Sequence, residues 1–399
     1  MERVIFHIDM NSYFASAAAQ ANPFLRGRAI GIGGKPGSRG IIAAASIEAK
    51  RRGVKTAMNA YEALKICPDL KIVDGDPDSY ADISRHFVQI FRRYTDTVEV
   101  FSIDEAFLDV TGWHERWGGP EKLAGRIKSD MRRDLGDCLT CSIGIAPNKI
   151  LAKLASDLKK PNGLVRISRE DAIVFLAFSE LTDVYGIAGR MRRRLRALRI
   201  RNLLELRAAD LSRLISAFGP VVGVKLWLIG QGEDLSPVTA SESAAKSFGN
   251  SYTLPEDTDN QKTLYRTLLK LAEKVCYRLR QSGQRAKTLS AYARRHDLSY
   301  DGGRTRLAKP TSDPLVVIKN AWDLIKPRID GVLVRLLGIE LTDLVPTREQ
   351  NSLWPDCDRR SRVNKTVDEI NNRYGPNTVS SATTINTLLR RHVSGFKPR

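Results

Sequence analysis

The stretch "EVFSIDEAFLDV", residues 99–110, places two adjacent carboxylates, Asp104 and Glu105, among large apolar side chains. An isolated carboxylate in apolar surroundings is costly unless it takes up a proton or finds a partner. Neighbouring side chains of a regular strand point to opposite faces, so the two acids could not share one ligand there. If "VEVF" and "AFLDV" are paired strands, then "SIDE" is their turn, and a turn can direct both carboxylates to one place. We therefore predict a hairpin that carries an acidic site.

A third carboxylate, Asp9, ends the apolar run "RVIFHIDM" at residues 3–10, whose β-branched and aromatic content predicts a buried strand. Three carboxylates in a small space repel one another unless a divalent cation neutralises them. Oxygen-only ligands favour a hard ion such as Mg²⁺ or Mn²⁺. The alternative is a solvated hairpin turn with incidental acids. The pattern favours a metal site at the end of a sheet.

The composition limits the classes of partner. The 399 residues carry a net charge of +19, which suits a polyanion such as DNA or RNA, although a basic protein without such a partner has the same composition. No apolar run is long enough to predict a membrane span. Cys138 and Cys141 have C-x-x-C spacing without a second pair, so we predict core thiols rather than zinc or redox chemistry, in a reducing cytoplasm.

Periodicity divides the chain into three parts. Strand-like and helical segments alternate up to about residue 167, which indicates an α/β or α+β catalytic domain. Residues 168–230 are helical around a Gly186-x-x-Gly189 hairpin, and the polar residues 231–247 are typical of a linker. The third part, about 246–345, has strand-like edges around an amphipathic helix, and a charged helical stretch lies in the tail.

Four motifs occur in order: "HIDMNSYFAS" from residue 7, "SIDEAFLDVTG" from 102, "NKILAKLASDLKKPNG" from 148 and "VYGIAG" from 184. Together they resemble signatures of the Y-family translesion DNA polymerases of the bacterial DinB (polymerase IV) type. The resemblance implies an α+β, right-hand polymerase that copies damaged templates with low processivity. It also implies these domains: a palm at 1–11 and 77–166, fingers at 12–76, a helical thumb at 167–230, a linker at 231–245, an α/β little finger at 246–345 and a tail at 346–399.

The resemblance also assigns roles at the acidic site. Asp9 and Asp104 are expected to bridge two Mg²⁺ ions, with Mn²⁺ possible, and Glu105 to complete the site that holds the primer 3′-hydroxyl. The carbonyl of Met10 is expected to help bind the nucleotide metal, and Lys160 to reach the phosphates of the dNTP. Such metals activate the hydroxyl and stabilise the leaving pyrophosphate, so no side-chain nucleophile is needed.

Other residues are expected to contact the nucleotide. Tyr13 precedes Phe14, which takes the place of the family's steric gate beneath the sugar. Where the family reads Tyr-x-x-Arg, this chain has Ile47 and Lys50. Isoleucine cannot donate a hydrogen bond to phosphate, and lysine keeps the charge but loses the bidentate fork of arginine. This departure bears on nucleotide affinity rather than on metal binding.

Basic segments are the expected contacts to primer-template DNA. Residues 190–207 contain eight arginines and a single glutamate, directly after a glycine hairpin that can present backbone N–H groups to phosphates. The resemblance makes this the thumb helix-hairpin-helix, and it makes "KTLSAYARRH" a DNA-facing strand of the little finger. Contacts to the DNA backbone do not depend on the base sequence, so we expect binding to be largely sequence-independent. The expected DNA-binding residues are Arg39, Gly186, Gly189, Arg190 and Arg294.

The tail contains "EQNSLWPD", in which Gln350, Leu353 and Trp354 match the Gln-x-x-Leu-aromatic pattern of bacterial clamp-binding peptides. The pattern predicts docking on a sliding clamp, and a chance match is the alternative. We also expect a monomer in the bacterial cytoplasm, associated with the nucleoid.

Two other functions remain open from sequence. One is an inactive Y-family relative that acts as a DNA-binding adaptor, but such proteins lose the acids that this chain keeps. The other is a nucleotidyl cyclase, which also uses a carboxylate-metal palm. A cyclase needs neither an arginine-rich hairpin nor a third basic domain, so the sequence favours the polymerase.

Overall fold

The structure, a computed structural model, describes residues 2–34, 39–240, 244–347, 355–385 and 387. The chain divides after residue 242 into two compact units, which we call the first and the second unit. Across the described residues, no helix is long and apolar enough to cross a membrane.

The first unit mixes strands and helices. Its strands are β1 Ile5–Met10, β2 Ile30–Gly33, β3 Ile42–Ala45, β4 Lys71–Val73, β5 Val98–Val100, β6 Glu105–Asp109, β7 Cys141–Ala146 and β8 Leu164–Arg166. Its helices are α1 Tyr13–Ala21, α2 Ile47–Arg51, α3 Ala60–Ile66, α4 Pro77–Phe91, α5 Pro120–Leu135, α6 Lys149–Leu158, α7 Ala172–Phe178, α8 Gly189–Ala197, α9 Leu203–Arg207, α10 Leu211–Phe218 and α11 Pro220–Gln231.

A five-stranded sheet forms the middle of the first unit, in the order β5-β6-β1-β7-β8. The central strand, β1, is buried along its whole length, as its apolar content predicts. It runs antiparallel to both β6 and β7. The predicted hairpin is present: β5 and β6 pair, and the segment 101–104 connects them. Helices must cover both faces of such a buried sheet.

The two faces of β1 belong to different cores. Phe6 and Ile8 pack with α4 and α5 on one face. Ile5 packs with α6 on the other face, where Phe107 of β6 joins it. Because side chains alternate along a strand, His7 and Asp9 lie on the α6 face with Ile5. Strand β6 shares this alternation, so Glu105 lies on the α6 face with Phe107.

Two smaller assemblies complete the first unit. A three-stranded sheet, β3-β2-β4, packs with α2 and α3 around its own small core. Helices α7 to α11 pack around a core that continues into α6. Within the stretch 168–230, which is predicted to be helical, the segment directly before Gly186 forms only a short 3₁₀ turn at Leu181–Asp183. Part of the predicted linker packs onto the first unit, because Val238 is buried and the Thr239 N–H donates to Glu99 over 3.0 Å.

The second unit is a four-stranded antiparallel sheet with helices on one face. The sheet order is β11-β10-β12-β9, and its core is formed by the apolar sides of the sheet and of two helices. The bounds are β9 Ser247–Thr258, α12 Gln261–Gln281, β10 Gln284–Arg295, β11 Tyr300–Thr311, α13 Pro314–Ile329, β12 Val334–Pro346 and α14 Pro355–Tyr374. The fold class predicted from the sequence, α+β with a separate C-terminal sheet domain, is confirmed.

The charged helical stretch of the tail is α14, which packs on α12. The Arg280 guanidinium donates to both carboxylate oxygens of Asp368, over 2.6 and 2.7 Å. Asp368 is buried, and Thr384 further on donates to Glu273 of α12. The residues after the clamp-like motif therefore belong to the second unit rather than to an independent tail.

Candidate active site

Asp9 and Glu105 are cross-strand neighbours. They stand opposite each other in the antiparallel register of β1 and β6, and both lie on the α6 face of the sheet. The register is fixed by five consecutive pairs along the two strands, and the three central pairs join buried positions. The two predicted acids that are 96 positions apart in the chain are thus neighbours in the fold.

Asp104 lies in the turn just before β6. The Met10 backbone N–H donates to the Asp104 carbonyl over 2.9 Å, which fixes the turn against the end of β1. The Asp104 carboxylate accepts a hydrogen bond from the Ser102 hydroxyl over 2.6 Å. The turn breaks the alternation of the strand, as the sequence predicts. It brings Asp104 to the strand ends that carry the other two acids.

Asp9 and Glu105 each have a lysine partner from the region of α6. Lys160 lies 2.9 Å from Asp9 and 2.7 Å from Asp157. Lys153 donates to Glu105 over 2.7 Å. Lys160 was predicted from the sequence as a phosphate contact, whereas Lys153 was not singled out. Its only sequence signal is its position within the "NKILAKLASDLKKPNG" segment.

The acids differ in their tendency to ionise. Burial raises the pKa of Asp9 to about 6, and the charges of Glu105 and Asp104 add to this although Lys160 opposes it. Burial likewise raises the pKa of Asp104. Burial also disfavours the charge on Glu105, but hydrogen bonds from His7 and Lys153 outweigh it and lower its pKa to about 2. Asp9 and Asp104 thus resist ionisation because of burial and of their acidic neighbours, and a nearby cation would stabilise their charged forms.

His7 was not predicted to belong to the site. Its side chain is fully buried on the α6 face, and its Nδ1 lies 2.7 Å from the Ser156 hydroxyl. Its Nε2 lies 3.5 Å from Glu105, at the outer limit of hydrogen-bond distance. Burial lowers the pKa of His7, and the Glu105 hydrogen bond opposes this. His7 therefore links Ser156 of α6 to the acid of β6 at this end of the sheet.

The donor chemistry of the three acids fits a hard divalent cation, since all available ligand atoms are oxygens. In the part of the chain that the structure describes, however, no three His, Cys, Asp or Glu side chains are close enough to hold one ion together. The reason is visible in the contacts: Asp9 is paired with Lys160, Glu105 with Lys153, and Asp104 with the Ser102 hydroxyl. A cation held by all three acids would have to replace these partners.

An aromatic cluster lies beside the acids at the start of α1. The Phe14 ring stacks on Tyr80 with a centroid distance of 4.5 Å and an interplanar angle of 22°. The buried Tyr13 hydroxyl donates to the Tyr80 carbonyl over 2.5 Å. Phe14 is half-buried, while Tyr13 and Tyr80 are almost fully buried. Tyr80 was missed from the sequence, because it lies in an ordinary amphipathic helix, α4.

Helix α2 brings Lys50 towards the same end of the sheet. Burial lowers the pKa of Lys50, and the charge of Lys160 lowers it further, whereas Asp9 and Asp104 raise it. These four groups are therefore close enough to interact. Ile47 lies at the first position of α2 and is half-buried.

The residues predicted to bind DNA or a sliding clamp lie outside this cluster of acids, lysines and aromatic rings. Gly186 has a positive φ of 101°, and α8 begins at Gly189 without a side-chain cap, so its first backbone N–H groups are available. Arg190 on α8 and Arg39 are exposed. Arg294 of β10 lies over the Tyr300 ring, 5.3 Å from its centroid. The clamp-like residues Gln350, Leu353 and Trp354 lie outside the described residues.

Not every arginine of the 190–207 run is free for DNA. Arg194 donates to the Ala217 carbonyl over 2.8 Å and covers the Phe218 ring. Arg192 lies 3.9 Å from Glu180. Arg194 is therefore engaged within the first unit and Arg192 has an acidic neighbour, so these two side chains are less available to a partner than the charge count suggests.

Comparison with known proteins decides the family. The impB/mucB/samB family model matches residues 8–157, and the model of the C-terminal domain of the same family matches residues 245–353. The chain belongs to the Y family of DNA polymerases. The resemblance seen in the sequence motifs is thereby confirmed.

Individual relatives agree with this family. The DNA polymerase IV of Desulfatibacillum aliphaticivorans is 32% identical over 98% of this chain and 99% of its own length. The DNA polymerase IV 2 of Bacillus subtilis is 33% identical over 96% of this chain and 95% of its own length. A solved Y-family DNA polymerase chimera superposes with a TM-score of 0.74 at 27% identity, covering 86% of this chain and 99% of its own. The Y-family similarity therefore spans both units.

Proposed function

We propose that this Y-family polymerase extends a primer on a DNA template by nucleotidyl transfer from a dNTP, with its chemistry at Asp9, Asp104 and Glu105. The observation that carries the proposal is the register of β1 and β6, which sets Asp9 opposite Glu105 and Asp104 in the adjoining turn. These acids would hold two Mg²⁺ ions, or Mn²⁺, with the carbonyl of Met10 as a further ligand. Such ions, when bound, lower the pKa of an attacking hydroxyl and neutralise charge on a triphosphate.

The lysines beside the acids would serve the triphosphate. Lys160 already lies 2.9 Å from Asp9, so its ammonium is within reach of any phosphate bound next to that carboxylate. Lys50 interacts electrostatically with the same groups and would supply a second cation. Lys153 holds Glu105 in place over 2.7 Å. Tyr13 and Phe14 would form the floor beneath the sugar, backed by Tyr80.

The domains proposed from the sequence would together bind the primer-template DNA. In this assignment the palm comprises residues 1–11 and 77–166, the fingers 12–76, the thumb 167–230 and the little finger 246–345, with a linker at 231–245. Backbone N–H groups at Gly186 and Gly189, together with Arg190, would contact DNA phosphates. Arg39 and Arg294 would add contacts in the fingers and the little finger.

Primer extension with Mg²⁺ and dNTPs tests the proposed site. We expect Asp104→Asn and Glu105→Gln each to reduce extension at least a hundred-fold, because loss of one ligand removes charge stabilisation of the transition state, of about 3 kcal/mol or more. DNA binding should survive. Asp109→Asn is a matched control, because Asp109 ends the same strand, β6, at its opposite end. Near-normal extension by both site variants would exclude the assignment.

The tail motif would bring the polymerase to a sliding clamp, which compensates for low processivity. We further propose that the protein acts as a monomer on nucleoid DNA in the bacterial cytoplasm. A short peptide can bury an aromatic anchor in a groove of the clamp. Changing Leu353 and Trp354 to Ala should abolish the stimulation of synthesis by the clamp while leaving basal extension unchanged. Stimulation that persists in this variant would refute the clamp contact.

A further inference from the structure

A buried asparagine lies directly after the strand that carries Asp9. Asn11 is 4% exposed, and all polar atoms of its side chain have partners. Its Oδ1 accepts hydrogen bonds from the Asn162 backbone N–H over 2.7 Å and from the Thr140 hydroxyl over 3.2 Å. Its Nδ2 donates to the Ser142 hydroxyl over 2.9 Å. One side chain thus joins the end of β1 to β7 and to the loop that follows α6.

The loop is held at a second point by Ser142. This serine is fully buried on β7, and its hydroxyl oxygen also accepts from the Gly163 backbone N–H over 3.3 Å. The loop backbone has little freedom of its own. Asn162 has a positive φ of 55°, and a Cβ on Gly163 would lie 1.7 Å from the Lys159 carbonyl oxygen. Fixing residues 162 and 163 therefore fixes the start of the side chain two residues earlier.

That side chain is Lys160. It is only about one-third exposed, and its ammonium lies between Asp9 and Asp157. A lysine side chain has many rotamers, so the position of its backbone decides which phosphate it can reach. We propose that Asn11, together with Ser142, is a positioning residue that sets the place of Lys160 for the phosphates of the incoming nucleotide. This inference rests on the proposed phosphate role of Lys160.

The experiment measures nucleotide binding apart from chemistry. The full chain is bound to a primer-template whose primer lacks the 3′-hydroxyl, and the Kd of the matching dNTP is determined with Mg²⁺. We expect Asn11→Ala to raise this Kd roughly five-fold to thirty-fold, the effect of losing one or two buried hydrogen bonds. The Kd for DNA should not change. In a Lys160→Ala background, which itself raises the dNTP Kd, Asn11→Ala should add less than about two-fold.

A second buried asparagine is the control for stability. Asn148 is 3% exposed, accepts from the Leu151 N–H over 3.0 Å and donates to the Gly232 carbonyl over 2.8 Å, at the opposite end of α6 from Lys160. Asn148→Ala should lower the unfolding midpoint as much as Asn11→Ala does and leave the dNTP Kd unchanged. A purely structural role for Asn11 predicts the same result for both variants.

The remaining outcomes are distinct. If Lys160→Ala raises the dNTP Kd but a folded Asn11→Ala does not, or if the two effects add in full, the positioning role is refuted and the phosphate role stands. If Lys160→Ala leaves the Kd unchanged, both are refuted. Should Asn11→Ala fail to fold, Ser142→Ala takes its place, because it removes the second attachment of the loop. It should raise the dNTP Kd in the same Lys160-dependent way, and an unchanged Kd would refute the positioning role.

Discussion

Removal of the Phe14 ring is expected to relax the choice of sugar. Ribonucleotides and deoxynucleotides differ by one 2′-hydroxyl, and a hydrogen-bonding site cannot easily select for its absence, so a steric clash is the available means. The Phe14 ring stacks on Tyr80 at 4.5 Å, and Tyr80 is held in turn by the Tyr13 hydroxyl. The Phe14 ring is therefore packed against Tyr80 and cannot easily move away from a bulkier sugar.

The energetic cost of displacing the packed Phe14 ring sets the size of the expected effect. Moving a packed ring aside costs about 1–3 kcal/mol, which limits the clash that it can enforce. Phe14→Ala should accordingly raise ribonucleotide incorporation roughly ten-fold to a hundred-fold relative to deoxynucleotide incorporation. Loss of the ring pair costs about 0.5–1.5 kcal/mol in addition to the lost apolar burial of this half-exposed side chain, and the variant should remain folded.

The assay compares kcat/KM for dATP and ATP on one primer-template. Phe175→Ala is the control, because Phe175 is likewise half-buried against a core of the first unit but lies on α7. It should lose stability without a change in the dATP to ATP ratio. If Phe14 is only a core aromatic, Phe14→Ala will behave as the control does. An unaltered ratio in a folded Phe14→Ala protein would falsify the gate.

Three further results are expected. DNA affinity should fall at least ten-fold between about 50 and 200 mM salt and depend little on sequence, since phosphate neutralisation releases counterions; titrations with a flat salt response would contradict this. Burial raises the pKa of Cys141 and Cys276 to about 12, so these two thiols should be almost entirely un-ionised at pH 8. Site-resolved mass spectrometry should find iodoacetamide on the half-buried Cys138 before it is found on Cys141 or Cys276, and the reverse order would contradict this. Asp368→Asn removes the charge partner of the half-buried Arg280, at a cost of about 1–3 kcal/mol, and should speed hydrogen exchange in α14. The exposed Glu369→Gln should not, and equal exchange in both variants would argue against the docked helix.

Local chemistry explains why the acids could be found from sequence. Asp9 ends a run of apolar residues that only a buried strand accommodates, and Asp104 and Glu105 interrupt a second such run. A turn was the one local way to bring adjacent acids together, and Asp104 does lie in the turn before β6. Phe14 could be singled out because it belongs to the same sequence motif as Asp9, "HIDMNSYFAS". Their roles in binding metal and nucleotide remain predictions.

Other elements leave no such signal. Strand β11 and helix α13 were not predicted: β11 is rich in glycine and charged residues because it lies at the edge of its sheet and one of its faces is exposed. Tyr80 lies in a helix whose pattern shows only that one face is buried. The 3₁₀ turn before Gly186 shows that apolar spacing over a few residues does not distinguish a full helix from a single turn.

The sequence by itself determined the class of fold, the family and the three acids, because these depend on hydrophobic patterns and motifs that are read within a short window. Only the tertiary structure decided which groups surround the acids. Lys153 donates to Glu105, His7 lies between Glu105 and Ser156, and Asn11 holds the loop that follows Lys160. These partners are 48, 149 and 151 positions apart along the chain. Hydrogen bonds between segments so distant impose no periodicity on either one, and they exist only once the register of β1, β6 and β7 has brought the segments together.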